Sequence, residues 1–506
     1  MSHQSGLSID VIAPRSRSYQ GPFGRICGDL APWTPAGVRD HEIDAFLLDF
    51  VNKNMIEEPG KTPSQIANDE TLRKKLDKKF DSRTPAGYTY FAQFIDHDIT
   101  FDPTSSLMRR NDPNALLNFR TPRLDLDCVY GRGPGDNPFL YDQTQPGKML
   151  IGQVEGTNLR DLPRNHQGRA LIGDMRNDEN AMVSQLQLAF LLAHNTLVDR
   201  AVKAKAADPF RAARKTLRWL YQWIVWHDLL GRVTLKKVHE CALSLEDRCG
   251  GRKGWKMGLD DIYSWRHQPF MPVEFSVACY RFGHTMVRNT YSTNEQHRAP
   301  GSVVTIFDNS GGGIPDDLRG FRPMLKENVI QWNLFLEMKN SKPQKARKID
   351  TKLSNALSHL HEGPPGSENN VLAFRNLKRA WTFELPGGTS IARKWCYKEL
   401  DLHPKKDLDA LFYYMLKEAE SLPGLGAGQS LGSIGSTVLC AVFSGLLAGD
   451  PSCWMNDDPC WTPNDDPLLT PGQDNCDSSK KSVWELSSII RLAGLPVTRQ
   501  EVGNQT

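Results

Sequence analysis

The chain has 506 residues, and its 62 Lys and Arg against 59 Asp and Glu leave a net charge of only +3. This balance, without a basic run that carries interleaved aromatic residues, argues against a nucleic-acid-binding surface. Small molecules are therefore the expected partners. The length allows either several ordinary domains or one large helical domain with a deep interior.

The first residues, MSHQSGLSIDVIAPRSRS, lack the continuous apolar core of a signal peptide. No later segment approaches 18 apolar residues without a charge, so we expect no membrane span. These features predict a soluble protein that is cytoplasmic or secreted by a nonclassical route. They give no sign of an oligomeric state.

Residues 1–40 are rich in Pro, Gly and Arg, which predicts an extended arm on the surface of a domain that spans 41–506. Pro/Gly-rich connectors interrupt this domain at 132–138, 309–317 and 360–370. Because composition does not change across them, we interpret them as loops inside one domain.

Helical periodicity dominates the rest of the chain. Apolar residues recur at i, i+3, i+4 and i+7 in segments 181–202, 214–230 and 436–449. Alternating strand patterns are few and short. The sequence therefore predicts a mainly-α fold, a single large helical domain with very little β structure.

The segment YFAQFIDHDIT (90–100) contains a histidine between two carboxylates. On a helix, Gln93 and His97 share one face, while Asp96 and Asp98 point to either side of it. The shared face of Gln93 and His97 and the two separate directions of Asp96 and Asp98 could therefore serve three different chemical roles. A core histidine satisfied by a neighbouring acid also explains such a short motif.

A second polar cluster, GDMRNDEN (173–180), precedes a long apolar helix. Its acids suit the positive end of that helix, so helix capping is one interpretation. Arg176 and Glu179 are also three residues apart and could face one pocket together, which capping does not require.

The third segment, TPRLDLD, would present oxygen atoms on one side of an extended loop. Its candidate ligands are Thr121, Arg123, Asp125 and Asp127, and hard cations such as calcium prefer this type of ligand. The segment lacks the EF-hand glycine and glutamate, so a turn with two solvated aspartates is the competing interpretation.

His284 lies in CYRFGHTMVR (279–288), a largely apolar context that is typical of structural histidines. Ten cysteines are too few for a disulfide scaffold. Cys453, Cys460 and Cys476 cluster and could pair, but the composition favours free thiols, and their spacings resemble no zinc motif.

Taken in order, FAQFIDHDITF, TPRLDLDCVYG, GDMRNDEN and RFGHTMVRNTY resemble the landmarks of the animal-type haem peroxidase superfamily, also called the peroxidase–cyclooxygenase superfamily. RNDEN leading into SQLQLAFLLAHN, followed later by LAFRNLKRAWTFELPGG, resembles the bacterial branch. The resemblance extends from about Arg83 to Trp461 and implies a single helical haem peroxidase domain.

The resemblance implies three catalytic residues. His97 would be the distal histidine, which takes a proton from hydrogen peroxide and delivers it to the departing oxygen. Arg176 would stabilise the negative charge that develops as the O–O bond breaks. Gln93 would hold the distal water and halide-like substrates.

The implied cofactor is haem b, with His284 as the ligand to the haem iron. Asn376 would accept the ring N–H of His284 and fix its orientation. Arg281 and Arg379 would neutralise the haem propionates.

Two ester bonds to haem are also implied, through Asp96 and Glu179. Some members of the family have a methionine directly after this glutamate and gain a sulfonium bond to haem. This sequence has Asn180 there, so at most two covalent links are expected.

A calcium ion is the second implied cofactor. Asp98 would bind it together with Thr121, Arg123 through its backbone carbonyl, Asp125 and Asp127.

The implied activity is a peroxidase that reduces hydrogen peroxide and oxidises a halide, a pseudohalide or an aromatic donor through a ferryl intermediate. The alternative within the superfamily is a fatty-acid dioxygenase. It is disfavoured because such enzymes carry a radical-forming tyrosine three residues before the proximal histidine, where this chain has Arg281.

Two alternatives come from other classes, a metal-dependent His–Asp phosphohydrolase and a calcium-stabilised binding module. Metallohydrolysis needs further histidine ligands, and the remaining histidines form no close pair except His359 and His361.

Overall fold

The computed structural model describes residues 19–20, 23–101, 122–248, 252–264, 269–299, 301–307, 316–338, 341–360, 366–475 and 483–505. The α-helices within these ranges are α1 (Ile43–Asn54), α2 (Pro63–Asn68), α3 (Glu70–Phe80), α4 (Gly87–Ile99), α5 (Asp127–Tyr130), α6 (Ala181–Lys203), α7 (Pro209–Ile224), α8 (Gly231–Val233), α9 (Lys236–Ala242), α10 (Leu372–Thr382), α11 (Gly388–Lys394), α12 (Leu411–Glu420), α13 (Ser433–Gly449), α14 (Trp454–Asp457), α15 (Leu486–Ala493) and α16 (Arg499–Gly503).

Short β-structure connects these helices. The strands are β1 (Tyr19–Gln20), β2 (Phe23–Gly24), β3 (Asp81–Pro85), β4 (Gly152–Gln153), β5 (Arg160–Asp161), β6 (Leu243–Arg248), β7 (Arg252–Met257), β8 (Met271–Pro272), β9 (Thr290–Tyr291), β10 (Val304–Thr305) and β11 (Lys345–Arg347). They pair as β1–β2–β8 and as four two-stranded ladders, all antiparallel except β2 with β8. The predicted mainly-α fold with little β structure is confirmed.

Three of the short non-α turns matter for the site. They are the 3-10 helices Met175–Asp178 and Cys279–Met286 and the π-helical turn Glu274–Ala278. A second π-helical turn, Val225–Leu230, continues α7. The remaining 3-10 turns are Asp40–Glu42, Pro138–Leu140, Lys326–Asn328, Trp332–Leu334, Asn355–Ser358, Glu368–Asn370 and Gly424–Gly426.

All three helices predicted from periodicity are present as α6, α7 and α13. The pattern at 214–230 runs through α7 into the π-helical turn, which the apolar spacing did not reveal. α6 is long and apolar enough to cross a membrane, but 83% of an apolar stretch of 18 residues within it is buried inside the protein. This burial is typical of a core helix.

The core is centred on α6, which packs against α4, α7 and α15. Phe94 of α4 stacks on Phe190 of α6 with ring centroids 4.5 Å apart, and Tyr221 of α7 meets both rings edge-on. Such aromatic contacts add to the area buried. They fix the position of α4, the helix that carries the Asp-His-Asp motif.

The described part of the predicted N-terminal arm lies against the domain. β2 pairs with β8, and the backbone N–H groups of Ile26 and Cys27 donate to the Glu274 carboxylate at 3.2 and 2.9 Å. Glu274 opens the π-helical turn before His284. The arm thus supports the segment that carries the second candidate histidine.

Candidate active site

α4 is buried along its whole length except at two residues. Between Gly87 and Ile99, Gln93 and Asp96 are half-buried and all other residues are buried, with 5% exposure left at His97. Gly87 permits this close packing, because an added Cβ would lie 2.7 Å from the Leu336 side chain. The helical geometry predicted for the motif is confirmed, and its open face is narrow.

His97 is held by an amide and not by the neighbouring carboxylates. Its Nδ1 lies 2.7 Å from Asn177 Oδ1, while Nε2 has no hydrogen-bond partner in the described part of the chain. Burial, followed by the positive charge of Arg176, lowers the pKa of His97 to about 4. The ring is therefore neutral at pH 7, with one nitrogen anchored.

Arg176 lies at the C-terminal end of α4. Its Nη2 donates to the backbone carbonyls of His97 and Thr100 at 2.9 and 2.7 Å, and Nε and Nη2 donate to Asp174 at 3.1 and 2.7 Å. The planar guanidinium is thus fixed by several bonds, which a flexible ammonium could not reproduce. It places a permanent positive charge next to His97.

The GDMRNDEN segment both caps helices and contributes a side chain to the site, and different residues do each. Asp174 and Asn180 are caps, since they accept from the N–H groups of Arg176 and Val183 at 2.9 and 3.0 Å. Glu179 is the C-cap residue of the 3-10 turn through its backbone, while its carboxylate accepts a hydrogen bond from Gln93 Nε2. Asn180 Nδ2 donates to Gln93 Oε1 at 3.1 Å. Gln93 and Glu179 therefore meet.

The segment around His284 also exposes only its candidate residues and one glycine. From Met271 to Tyr291, every residue is buried except Arg281, Gly283 and His284, which are half-buried. The segment is helical but not α-helical, because His284 lies in the 3-10 helix that follows the π-helical turn. Such irregular turns are frequent at functional sites.

Asn376 of α10 contacts His284, as predicted. Its Nδ2 lies 2.9 Å from His284 Nδ1, while its Oδ1 is buried without a partner among the described residues. Because the two amide atoms are interchangeable by a 180° turn, Oδ1 can equally face the ring nitrogen. In that orientation Asn376 accepts the ring N–H and leaves Nε2 of His284 able to bind a metal.

Positive charge surrounds His284. Burial, followed by the charges of Arg281, Arg375 and Arg379, lowers the pKa of this histidine to about 3. All three arginines keep accessible surface. The resemblance predicts that Arg281 and Arg379 neutralise haem propionates, and the structure adds Arg375 to this group.

One ion pair joins the half-buried residues of α4 to those of the His284 segment. Arg281 Nη1 lies 3.2 Å from Asp96 Oδ2, and the Thr100 hydroxyl donates to Asp96 Oδ1 at 2.9 Å. Burial alone would raise the pKa of Asp96, but Arg281, His97 and Arg176 together hold it below its usual value. The half-buried residues of α4 and of the His284 segment therefore lie next to one another, and we call the partly accessible surface that they line the opening.

The acidic residues of α4 and of the TPRLDLD segment come together. One carboxylate oxygen each of Asp98, Asp125 and Asp127 lies within 4.8 Å of the other two. Burial, followed by the charge of Asp127, raises the pKa of Asp98 and also that of Asp125. Three carboxylates at this spacing are a donor set that fits a hard cation.

The loop prediction holds in part. Leu126 has a φ of 60°, so the chain turns sharply between the two aspartates instead of staying extended. Thr121 lies outside the described residues, and binding by the Arg123 carbonyl stays a prediction. In the described part of the chain, this is the one cluster of three or more His, Cys, Asp or Glu, and it contains no histidine, which disfavours the phosphohydrolase.

The cysteine cluster and the His359–His361 pair, both singled out in the sequence, lie away from this site in the described part of the chain. Cys453 and Cys460 are free thiols, as favoured, whereas Cys476 and His361 lie outside the described residues. His359 binds the Asn355 carbonyl at 2.8 Å through Nδ1. Neither group belongs to the opening between α4 and His284.

The family match places this helical chain in the peroxidase–cyclooxygenase superfamily, whose members are oxidoreductases, and membership implies haem binding. The chain belongs to the animal haem peroxidase family, whose sequence model matches residues 106–358, half of the chain. No curated protein sequence matches it. Assignment to the bacterial branch stays a prediction.

Solved structures similar to this chain include two kinds of protein. Peroxidase A from Dictyostelium discoideum has 14% identity and a TM-score of 0.59, over 86% of this chain and 89% of that one. Fatty acid alpha-dioxygenase from Oryza sativa has 14% identity and a TM-score of 0.54, over 99% and 86%. The Arabidopsis thaliana alpha-dioxygenase has 15% identity and a TM-score of 0.51, over 91% and 82%. At this identity the likeness concerns the fold.

Proposed function

We propose that the chain is a haem peroxidase that reduces hydrogen peroxide and oxidises a halide-like anion or an aromatic donor. The observation that carries the proposal is the opening shared by two otherwise buried segments. It places Gln93 and Asp96 on one side and Arg281 and His284 on the other, joined by the Asp96–Arg281 ion pair.

The residues of this opening fit haem b. His284 offers an Nε2 without a protein partner in the described structure, and Asn376 can orient the ring through Nδ1. The positive charges of Arg281, Arg375 and Arg379 suit the two propionates. When bound, haem supplies the two-electron redox chemistry of peroxide reduction.

The chain itself supplies proton transfer and charge. Because Nδ1 of His97 is held by Asn177, Nε2 is the nitrogen that can accept a proton from peroxide and return it to the departing oxygen. Arg176 is fixed beside it and stabilises negative charge that develops during cleavage of the O–O bond. Gln93 lies one helical turn before His97 and can orient small polar molecules.

We infer that Asp98, Asp125 and Asp127 bind calcium next to this machinery. The cluster includes the residue directly after His97, and Asp98 is further held by the Tyr221 hydroxyl at 3.1 Å. A cation there would neutralise buried carboxylates that otherwise repel one another. It would also fix the end of α4.

A fatty-acid dioxygenase is the second candidate, because the similarity to the Oryza sativa enzyme covers 99% of the chain. The residue three positions before His284 is Arg281, which is engaged by Asp96 and by the Ser276 carbonyl at 2.7 Å. The adjacent residue, Tyr280, is a buried tyrosine with a hydroxyl that has no partner among the described residues. Its position does not match that of the radical-forming residue.

The decisive experiment combines the absorption spectrum with two variants. The purified protein should show an intense Soret band and consume hydrogen peroxide. His97→Ala should slow the reaction with peroxide by at least ~10²-fold and keep its haem. His284→Ala should lose or severely perturb iron ligation. A colourless protein, or an unchanged rate in His97→Ala, would exclude the proposal.

Single-turnover reactions distinguish the substrates. The peroxide-oxidised protein should be reduced by bromide, iodide, thiocyanate or phenols, and the order of rates identifies the donor. Oxygen uptake with a long-chain fatty acid and no added donor would instead establish the dioxygenase.

A further inference from the structure

A chain of three hydrogen bonds extends from His97 into the protein interior. His97 Nδ1 lies 2.7 Å from Asn177 Oδ1, and Asn177 Nδ2 donates to Gln187 Oε1 at 2.8 Å. Gln187 Nε2 donates to the Cys128 carbonyl at 3.3 Å. The chain connects α4, the Met175–Asp178 turn, α6 and α5.

The last acceptor sets the direction of every bond. A backbone carbonyl can only accept, so Gln187 must direct its NH₂ group toward Cys128 and its oxygen toward Asn177. The amide of Asn177 must then donate to that oxygen and present its own oxygen to His97. The proton of a neutral His97 is thereby required on Nδ1.

Reversal of this direction would be unfavourable. Asn177 and Gln187 are both 0% exposed, so water cannot compensate for a mismatched group. Flipping either amide would oppose two oxygens or two NH₂ groups, and a buried polar group without a partner costs about 1–3 kcal/mol. The two amides therefore hold one orientation.

We propose that Asn177 and Gln187 are positioning residues that fix the tautomer of His97, with the proton on Nδ1 and the lone pair of Nε2 facing the opening. The catalytic consequence rests on the proposed function: a ring locked in this tautomer is ready to accept the peroxide proton. The same short turn thus carries the charge of Arg176 and, one residue later, the group that orients the base.

The test uses four variants. Asn177→Leu removes the acceptor for Nδ1 at nearly constant size, whereas Asn177→Asp keeps an acceptor oxygen. Gln187→Met breaks the second bond without touching His97. Asn195→Leu, also on α6, is the matched control, because Asn195 makes two bonds to Met149 at 2.7 and 2.9 Å, away from the opening.

The tautomer is read by nitrogen-15 NMR of histidine-labelled protein, in the diamagnetic ferrous carbonyl form when haem is bound and in the protein as purified when it is not. A His97→Gln sample identifies the His97 signals. We expect the Nδ1-protonated form alone in the parent, in Asn177→Asp and in Asn195→Leu. Asn177→Leu and Gln187→Met should show the Nε2-protonated form in addition.

The rate with peroxide gives the second readout. Asn177→Leu should slow this step by about 10-fold, within the range typical of lost orienting contacts, while reduction by the donor stays unchanged. Asn177→Asp should restore most of the rate. An unchanged tautomer in both Asn177→Leu and Gln187→Met overturns the proposal, and a change in Asn177→Leu alone overturns the role of Gln187. Failure of the parent protein to react with peroxide would instead count against the proposed function, because the tautomer comparison does not depend on it.

Discussion

Arg281 and Asp96 form an ion pair of 3.2 Å between residues that are 185 positions apart in the chain. It links α4, which carries the candidate proton acceptor, to the segment that carries the candidate iron ligand. Both side chains are mostly buried, with 22% and 14% exposure. The pair therefore contributes to the alignment of the two sides of the opening.

This pair should be strongly coupled. Arg281→Met and Asp96→Asn should each destabilise the protein, and the double variant should recover about 1–3 kcal/mol relative to their sum, because removal of one partner leaves the other buried alone. Urea unfolding of the four proteins measures the coupling. The exposed pair Arg393–Glu399, at 2.9 Å, is the control and should contribute at most about 1 kcal/mol. Equal coupling in the two pairs would contradict the structural role.

Arg176 should act on the peroxide step through its fixed geometry. Arg176→Lys keeps the charge, but three ammonium N–H groups cannot reproduce the four bonds that the planar guanidinium makes. We expect the reaction with peroxide to slow by about 10²-fold, the loss typical of one electrostatic donor. Stopped-flow absorbance measures it.

Arg200→Lys provides the comparison for Arg176→Lys. Arg200 also holds a carboxylate, with Asp474 at 2.6 and 2.8 Å, and it lies outside the opening. Its substitution should lower the unfolding temperature without changing the peroxide step. A similar slowing in both variants would show that general destabilisation is responsible.

Calcium should stabilise the folded chain. A chelator should lower the unfolding temperature and added calcium should restore it, with about 2.7 kcal/mol gained at 100 times Kd. Asp125→Asn should abolish this response, because it removes one of three clustered carboxylates. Asp350→Asn removes a buried aspartate elsewhere and should leave the response intact. A chelator without effect on the parent protein would refute the metal site.

Local geometry explains what the sequence could predict. The common face of Gln93 and His97 follows from helical spacing alone, and α6 and α13 follow from their apolar periodicity. The clustering of Asp98 with Asp125 and Asp127 rested on the family resemblance. In the structure, a turn at Leu126 lies between Asp125 and Asp127, and no periodicity in the sequence indicates this turn.

Hydrogen-bond partners that are distant in the sequence could not be predicted from helical spacing or periodicity. His97 and Asn177 are 80 residues apart, and nothing in GDMRNDEN separates Asn177 from an ordinary polar turn residue. The type of helix at His284 was not predicted either, because short π and 3-10 turns leave no distinct period in a largely apolar segment. Only packing against other segments decides these features.

Covalent attachment of haem is the remaining prediction, with Asp96 and Glu179 as the two carboxylates. Both border the opening, and both accept hydrogen bonds there, Asp96 from Thr100 and Arg281 and Glu179 from Gln93. Asn180 has no sulfur, so a sulfonium bond is not expected. Because family members form these esters oxidatively, freshly reconstituted protein should release its haem into acidic solvent, and peroxide-treated protein should retain it.

Mass spectrometry of haem peptides before and after peroxide treatment identifies the attached residues. Asp96→Asn should lose one ester and Glu179→Gln the other, and each variant should keep the remaining bond. Before peroxide treatment, Asp96→Asn should also remove the carboxylate that pairs with Arg281, which separates this variant from Glu179→Gln by a lower unfolding temperature. Haem that stays fully extractable after many turnovers would refute covalent attachment and leave the peroxidase proposal intact.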